Sequence, residues 1–126
     1  MSIVSKRISW WEPQIGEEEK ALILEVLDSN FLNDGEYTTR FEKMLADTLG
    51  CKHAVAVTNG TTALFLALIG SGIRPGDEVI VPDVTFIATA NAVVLAGAKP
   101  VLVDIDPKTL NIAPQRIEQA ITSNTK

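Results

Sequence analysis

The heptapeptide Val57-Thr58-Asn59-Gly60-Thr61-Thr62-Ala63 gathers residue types that can hold an anion. It lies between a short apolar run and a helical stretch. The first N–H groups of a helix lack intrahelical partners, and the helix dipole makes that end positive. Gly60 lets a ligand approach the backbone closely. The hydroxyls of Thr61 and Thr62 add donors, and hydrogen bonds to a charged group are stronger than neutral ones. The loop carries neither the Gly-Lys-Ser/Thr of a P-loop nor the G-x-G-x-x-G of a dinucleotide site. Taken alone, the pattern reads more readily as a capped helix start on a glycine turn. Phe86 is the second candidate. It follows a Val-rich strand at the sheet edge where α/β proteins bind ligands, and its ring could stack on a flat ligand. Without further context an ordinary core aromatic is the commoner case.

The remaining candidates are weaker. Asp104 and Asp106 follow a strand, and paired acids can bind a metal or exchange protons; they are read as turn and cap residues. Cys51 and His53 are the single cysteine and the single histidine, so the chain can form no internal disulfide and has no Cys/His metal spacing. Cys51 is expected to be structural, and no metal site is expected at His53. Thr89 and Asn91 share a helix with Phe86 and are candidates to line a pocket. Lys99 and Lys108 flank a strand and are expected to be solvated.

Among the 126 residues, 46% are apolar and 21% charged, the balance of a soluble domain with a modest core. The net charge of −5 argues against non-specific nucleic-acid binding, which needs clustered Lys and Arg. Lys6-Arg7 is the one adjacent basic pair and reads as a solvated terminus. The start, Met1 to Arg7, has no apolar h-region, and the most apolar stretch, 92–98, is too short to span a bilayer. A lone thiol fits a reducing compartment. The chain is therefore expected to be cytoplasmic, with no membrane partner.

These residues need elements to position them. Gly16 precedes three glutamates and then Leu22, Ile23, Val26 and Leu27, so the spacing predicts a helix over 17–29. Thr39 and Glu42 match a capping box, which predicts a helix ending at Gly50. From there the pattern alternates. Strands are expected at 54–57, 78–82 and 100–106, and helices at 61–69, 85–95 and 114–121. Arg74-Pro75-Gly76-Asp77 is a turn, and Gly97 closes a helix. This alternation predicts an α/β fold, with a mainly parallel sheet flanked by helices. Residues 1–50 read as a helical arm or flanking layer and 51–126 as a partial α/β domain. The segment 121–126 falls where another strand could begin.

The order of blocks narrows the reading. Thr58-Asn59-Gly60-Thr61-Thr62-Ala63-Leu64 is followed by Gly72-Ile73-Arg74-Pro75-Gly76-Asp77-Glu78-Val79-Ile80-Val81-Pro82. Then come Thr85-Phe86-Ile87-Ala88-Thr89-Ala90-Asn91-Ala92, Gly97-Ala98-Lys99-Pro100-Val101 and Val103-Asp104-Ile105-Asp106. With Phe31-Leu32-Asn33-Asp34-Gly35 and Phe41-Glu42, the series resembles the DegT/DnrJ/EryC1/StrS family of nucleotide-sugar aminotransferases over about 11–126. The resemblance implies the N-terminal part of the large domain of a fold-type-I transferase dependent on pyridoxal 5'-phosphate (PLP). It implies cofactor binding by Asn59, Gly60 and Thr61 at the phosphate and by Phe86 at the pyridine ring. It further implies a homodimer in the complete protein, with glutamate as amino donor and a nucleotide-linked keto sugar as acceptor, a 4-keto-6-deoxy sugar being the first expectation. The family's Schiff-base lysine and pyridine-nitrogen aspartate match motifs beyond Lys126, so no catalytic residue is expected in this chain. The 126 residues are read as a fragment, truncated product or split half, inactive when isolated. The alternative is an inactive regulatory or interaction protein that retains the scaffold.

Overall fold

The computed structural model describes residue 9 and residues 11–126. The start, Met1 to Arg7, with its Lys6-Arg7 pair, lies outside the described residues. The chain forms two compact units, one ending at Ala56 and the other beginning at Val57.

The first unit holds two helices, α1 (Glu17–Asp28) and α2 (Glu36–Leu49). Three glutamates in the first turn of α1 face its positive end, and the Gly16 N–H donates to Glu19 Oε2 at 2.7 Å. The Tyr37 hydroxyl donates to the Glu25 carboxylate and ties α2 to α1. That bond raises the Tyr37 pKa, because the proton it holds is shared with an anion. Helix α2 starts behind Gly35, earlier than the capping-box reading expects. Thr39 is already helical, with its Oγ1 donating back to Gly35 O at 3.3 Å. Glu42 instead accepts from the Ala56 N–H at 2.7 Å. Gly50 ends the helix at φ 65°, the left-handed conformation glycine tolerates best.

The expected strand at 54–57 is not one. A strand needs ladder partners, and none of the described residues pairs with this segment. Val55 is 74% exposed rather than buried.

The second unit runs α3 (Gly60–Gly70), β1 (Glu78–Pro82), α4 (Ala88–Leu95), β2 (Lys99–Val103) and α5 (Pro114–Ala120). Strands β1 and β2 pair in parallel, from Glu78↔Lys99 to Pro82↔Val103. Helix α4 makes the crossover that parallel pairing requires. It starts at Ala88, so Thr85–Ile87 are connection and not helix. The core is Ile73, Val81, Val93, Ala96 and Ala98, with Phe65, Leu68, Val79 and Ala90 packed against it.

A bridge outside the named strands joins Thr125 to the other side of Glu78, again in parallel. Strand order therefore doubles back across β1, with β2 on one side and residue 125 on the other. Crossovers of this kind are right-handed, which puts α4 and α5 on opposite faces. Asn124 O accepts from the Glu78 N–H at 2.8 Å, and Glu78 O accepts from the Lys126 N–H at 3.0 Å. Among the described residues no helix is long and apolar enough to cross a membrane.

Candidate functional site

Helix α3 packs on α4, and the connection 71–77 carries the chain from the end of α3 to the start of β1. Leu64, Leu68, Val79, Val81, Thr89 and Val93 line one groove between α3, α4 and β1. Both helices therefore run opposite to β1, with their N-terminal ends at the edge where β1 finishes. The loop at Asn59 and the connection bearing Phe86 share that edge. It is the C-terminal edge of parallel strands, beside the strand about which the order doubles back, where α/β proteins place ligands.

The loop is preshaped. Asn59 is the N-cap of α3. Its Oδ1 accepts from the Thr62 N–H at 2.9 Å and from Thr62 Oγ1 at 3.2 Å. Its Nδ2 donates to Thr58 Oγ1 at 3.2 Å. The Asn59 side chain is therefore engaged within the loop. The amide N–H groups of Gly60 and Thr61 have no partner among the described residues. A Cβ added to Gly60 would meet nothing within 4 Å, so the backbone there can be approached on that side. The first turn of α3 has no acidic residue, whereas that of α1 has three. Of the two helix starts, α3 is the one suited to an anion.

Phe86 is 76% exposed, so it is not the core aromatic that spacing alone favoured. Its connection is anchored at both ends. The Asp83 N–H donates to Val103 O at 2.9 Å, and the Thr89 N–H to Phe86 O at 3.0 Å. The hydroxyls of Thr85 and Thr89 lie 3.0 Å apart and are hydrogen-bonded.

The other candidates carry no comparable site. Asp106 Oδ1 accepts from the N–H groups of Lys108 and Thr109, as a turn residue does. The exposed Asp104 lies 3.7 Å from Arg116 Nε. Cys51 is exposed, with its thiol donating to His53 O. Among the described residues no group of His, Cys, Asp and Glu could hold a metal. Lys99 is solvated, as expected, and its Nζ also donates to Glu78 Oε1 at 2.9 Å. Glu78 is 9% exposed, and its other oxygen accepts from Thr122 Oγ1 at 2.6 Å. The Lys99 bond, then the Thr122 bond, hold the Glu78 pKa below the usual carboxylate value. Neither this cluster nor the Thr85–Thr89 pair was read from the sequence.

The sequence profile of the DegT/DnrJ/EryC1/StrS aminotransferase family matches residues 13–126. GDP-perosamine synthase of Caulobacter vibrioides is 50% identical over 95% of this chain and 33% of its own length. The structure of S. venezuelae DesV in complex with a ketimine intermediate aligns with a TM-score of 0.81 at 44% identity, covering 87% of this chain and 30% of DesV. That of Bacillus subtilis NtdA with bound cofactor PMP aligns with a TM-score of 0.81 at 42% identity, covering 87% of this chain and 25% of NtdA. The chain spans about a third of the length of the curated relatives it matches. With the ordered blocks, the α/β topology and the shared C-terminal edge, this match establishes that the chain belongs to the DegT/DnrJ/EryC1/StrS aminotransferase family.

Proposed function

We propose that this chain supplies the coenzyme-binding edge of a PLP-dependent sugar aminotransferase. The observation that carries the proposal is the pair of amides at Gly60 and Thr61 with no partner among the described residues, beside open space at Gly60. Their position fits a phosphate dianion, which needs several N–H donors and no nearby carboxylate. Thr61 Oγ1 adds a donor. Asn59 keeps the loop in shape through Thr62. Phe86, exposed at the same edge, gives a flat apolar surface for the pyridine ring, and such stacking adds about 0.5–1.5 kcal/mol beyond area burial.

When bound, PLP supplies the electron sink on which amino-group transfer depends. The described residues bind and orient it. They hold the phosphate at one end and shield one ring face at the other. The name of one relative, GDP-perosamine synthase, supports a nucleotide-linked sugar, and we take the acceptor to be its keto form. We take glutamate as the donor, a 4-keto-6-deoxy sugar as the first acceptor to try, a homodimer as the working assembly and the cytoplasm as its location.

The test is a PLP titration of the complete protein, followed by a transamination assay with glutamate and a nucleotide-linked 4-keto-6-deoxy sugar. Micromolar PLP uptake, weakened by Gly60→Glu, supports the reading. Uptake that ignores a carboxylate placed at Gly60 would overturn it.

A further inference from the structure

A side chain as exposed as Phe86 has little packing to fix it, so its ring direction rests on the backbone that carries it. That backbone has two fasteners. One is the Asp83 N–H bond to Val103 O, at the base of the connection. The other spans Phe86 itself: the hydroxyls of Thr85 and Thr89 meet at 3.0 Å, one on each side of the aromatic in sequence. Helix α4 has no side-chain cap of its own, since its N-cap is Ile87. The threonine pair ties the connection to the first turn of the helix instead. Thr89 is half-buried on the groove between α3, α4 and β1, whereas Thr85 and Phe86 are exposed. The rigid partner is therefore Thr89, and the segment it steadies is Thr85-Phe86.

We infer that Thr89, acting through Thr85, is a positioning residue that sets the Phe86 ring for stacking on the coenzyme. The inference rests on the proposed PLP reading and adds two residues to it. The two hydroxyls are engaged with each other. Their hydrogen bond reduces the number of backbone and ring orientations that Phe86 samples before the coenzyme arrives, and such preorganisation raises affinity.

The experiment is a double-mutant cycle in the complete protein, read by PLP affinity and by the circular dichroism of the bound coenzyme band. Thr89→Val keeps the shape and removes the hydroxyl. It is expected to weaken PLP about five-fold, the scale of one hydrogen bond, and to reduce the dichroic band. Thr89→Ser restores both. Thr85→Val, at an exposed position that leaves the fold intact, reproduces the loss and serves if Thr89→Val does not fold. In a Phe86→Ala background, Thr89→Val or Thr85→Val costs nothing more. An equal loss in that background means the threonines act without the ring, which overturns the inference. So does normal PLP binding by Thr89→Val or Thr85→Val while Phe86→Ala binds weakly; the coenzyme reading then survives alone. If Phe86→Ala itself binds PLP normally, the ring has no stacking role, and both this inference and that part of the proposed function fail together.

Discussion

Thr122 Oγ1 donates to Glu78 Oε2 at 2.6 Å, joining the start of β1 to the segment after α5. The same carboxylate accepts from Lys99 Nζ at the start of β2. One glutamate thus fastens both neighbours of β1 at the end of the sheet away from the candidate site. The backbone agrees, because Glu78 pairs with Lys99 on one side and bridges Thr125 on the other.

A pH dependence follows. The Glu78 pKa is lowered in the fold, chiefly by the Lys99 bond and then by Thr122. A carboxyl with a depressed folded pKa stabilises the fold above its unfolded value, about 4.3 for glutamate, and loses that contribution as pH falls through the folded value. Thermal midpoints should show wild type well above Glu78→Gln at pH 7, with the gap closing steadily below about pH 4. A gap that stays constant down to pH 3 would mean that the charge contributes nothing.

Gly97 and Gly50 both sit at positive φ, 76° and 65°, yet they should respond differently to alanine. A Cβ on Gly97 would lie 3.0 Å from Pro75 Cγ, a ring that cannot swing aside, whereas one on Gly50 meets nothing within 4 Å. Left-handed backbone alone costs an L-residue about 1–2 kcal/mol. Gly50→Ala should lose about that much in urea unfolding. Gly97→Ala should lose more, by about 1 kcal/mol or above, for the overpacking it adds. Equal losses would show that Pro75 yields.

Much of this arrangement was legible in the sequence. The β1 run Glu78-Val79-Ile80-Val81-Pro82 was bounded by a Pro-Gly-Asp turn, and its strand ends where the composition says it should. Helix α5 has its proline in the first turn, the one part of a helix that needs no N–H there. What was not legible depended on partners far along the chain. Glu42 looked like half of a local capping box because its real partner, the Ala56 amide, is 14 residues away. Glu78 reaches 21 residues to Lys99 and 44 to Thr122, and no local pattern encodes either bond. The run 54–57 has strand composition, but composition cannot supply the neighbour a strand must pair with. At the site, the residue types of Asn59 and Gly60 indicated an anion loop. The capped helix start read there is what forms, with Asn59 as the cap, and its second bond, to the Thr62 hydroxyl, was visible only in the fold.

Asn59 therefore couples the stability of α3 to ligand binding. Replacing an asparagine N-cap with alanine costs typically about 1 kcal/mol, and serine retains most of the cap. Asn59→Ala should lower the unfolding midpoint and weaken PLP uptake by the complete protein, because the amides of α3 fray. Asn59→Ser should recover both. If Asn59→Ala binds PLP normally, the cap does not shape the anion site.

Gly60→Ala separates space from stability in the opposite way. The position is at the start of α3, not at positive φ, and has nothing within 4 Å of an added Cβ. Alanine is also the better helix former, by up to about 1 kcal/mol in a helix interior and less at the first position. The fold should therefore be unchanged or slightly steadier in thermal unfolding. Coenzyme binding should suffer, because the methyl occupies space through which a phosphate reaches the Gly60 and Thr61 amides. A loss of about ten-fold in PLP affinity corresponds to about 1.4 kcal/mol, the scale of one charge-assisted hydrogen bond lengthened or lost. Pyridoxal, which lacks the phosphate, should bind Gly60→Ala and wild type alike. A loss of equal size for pyridoxal would locate the effect at the ring, away from the α3 amides. No loss for either compound would mean that the phosphate is held elsewhere.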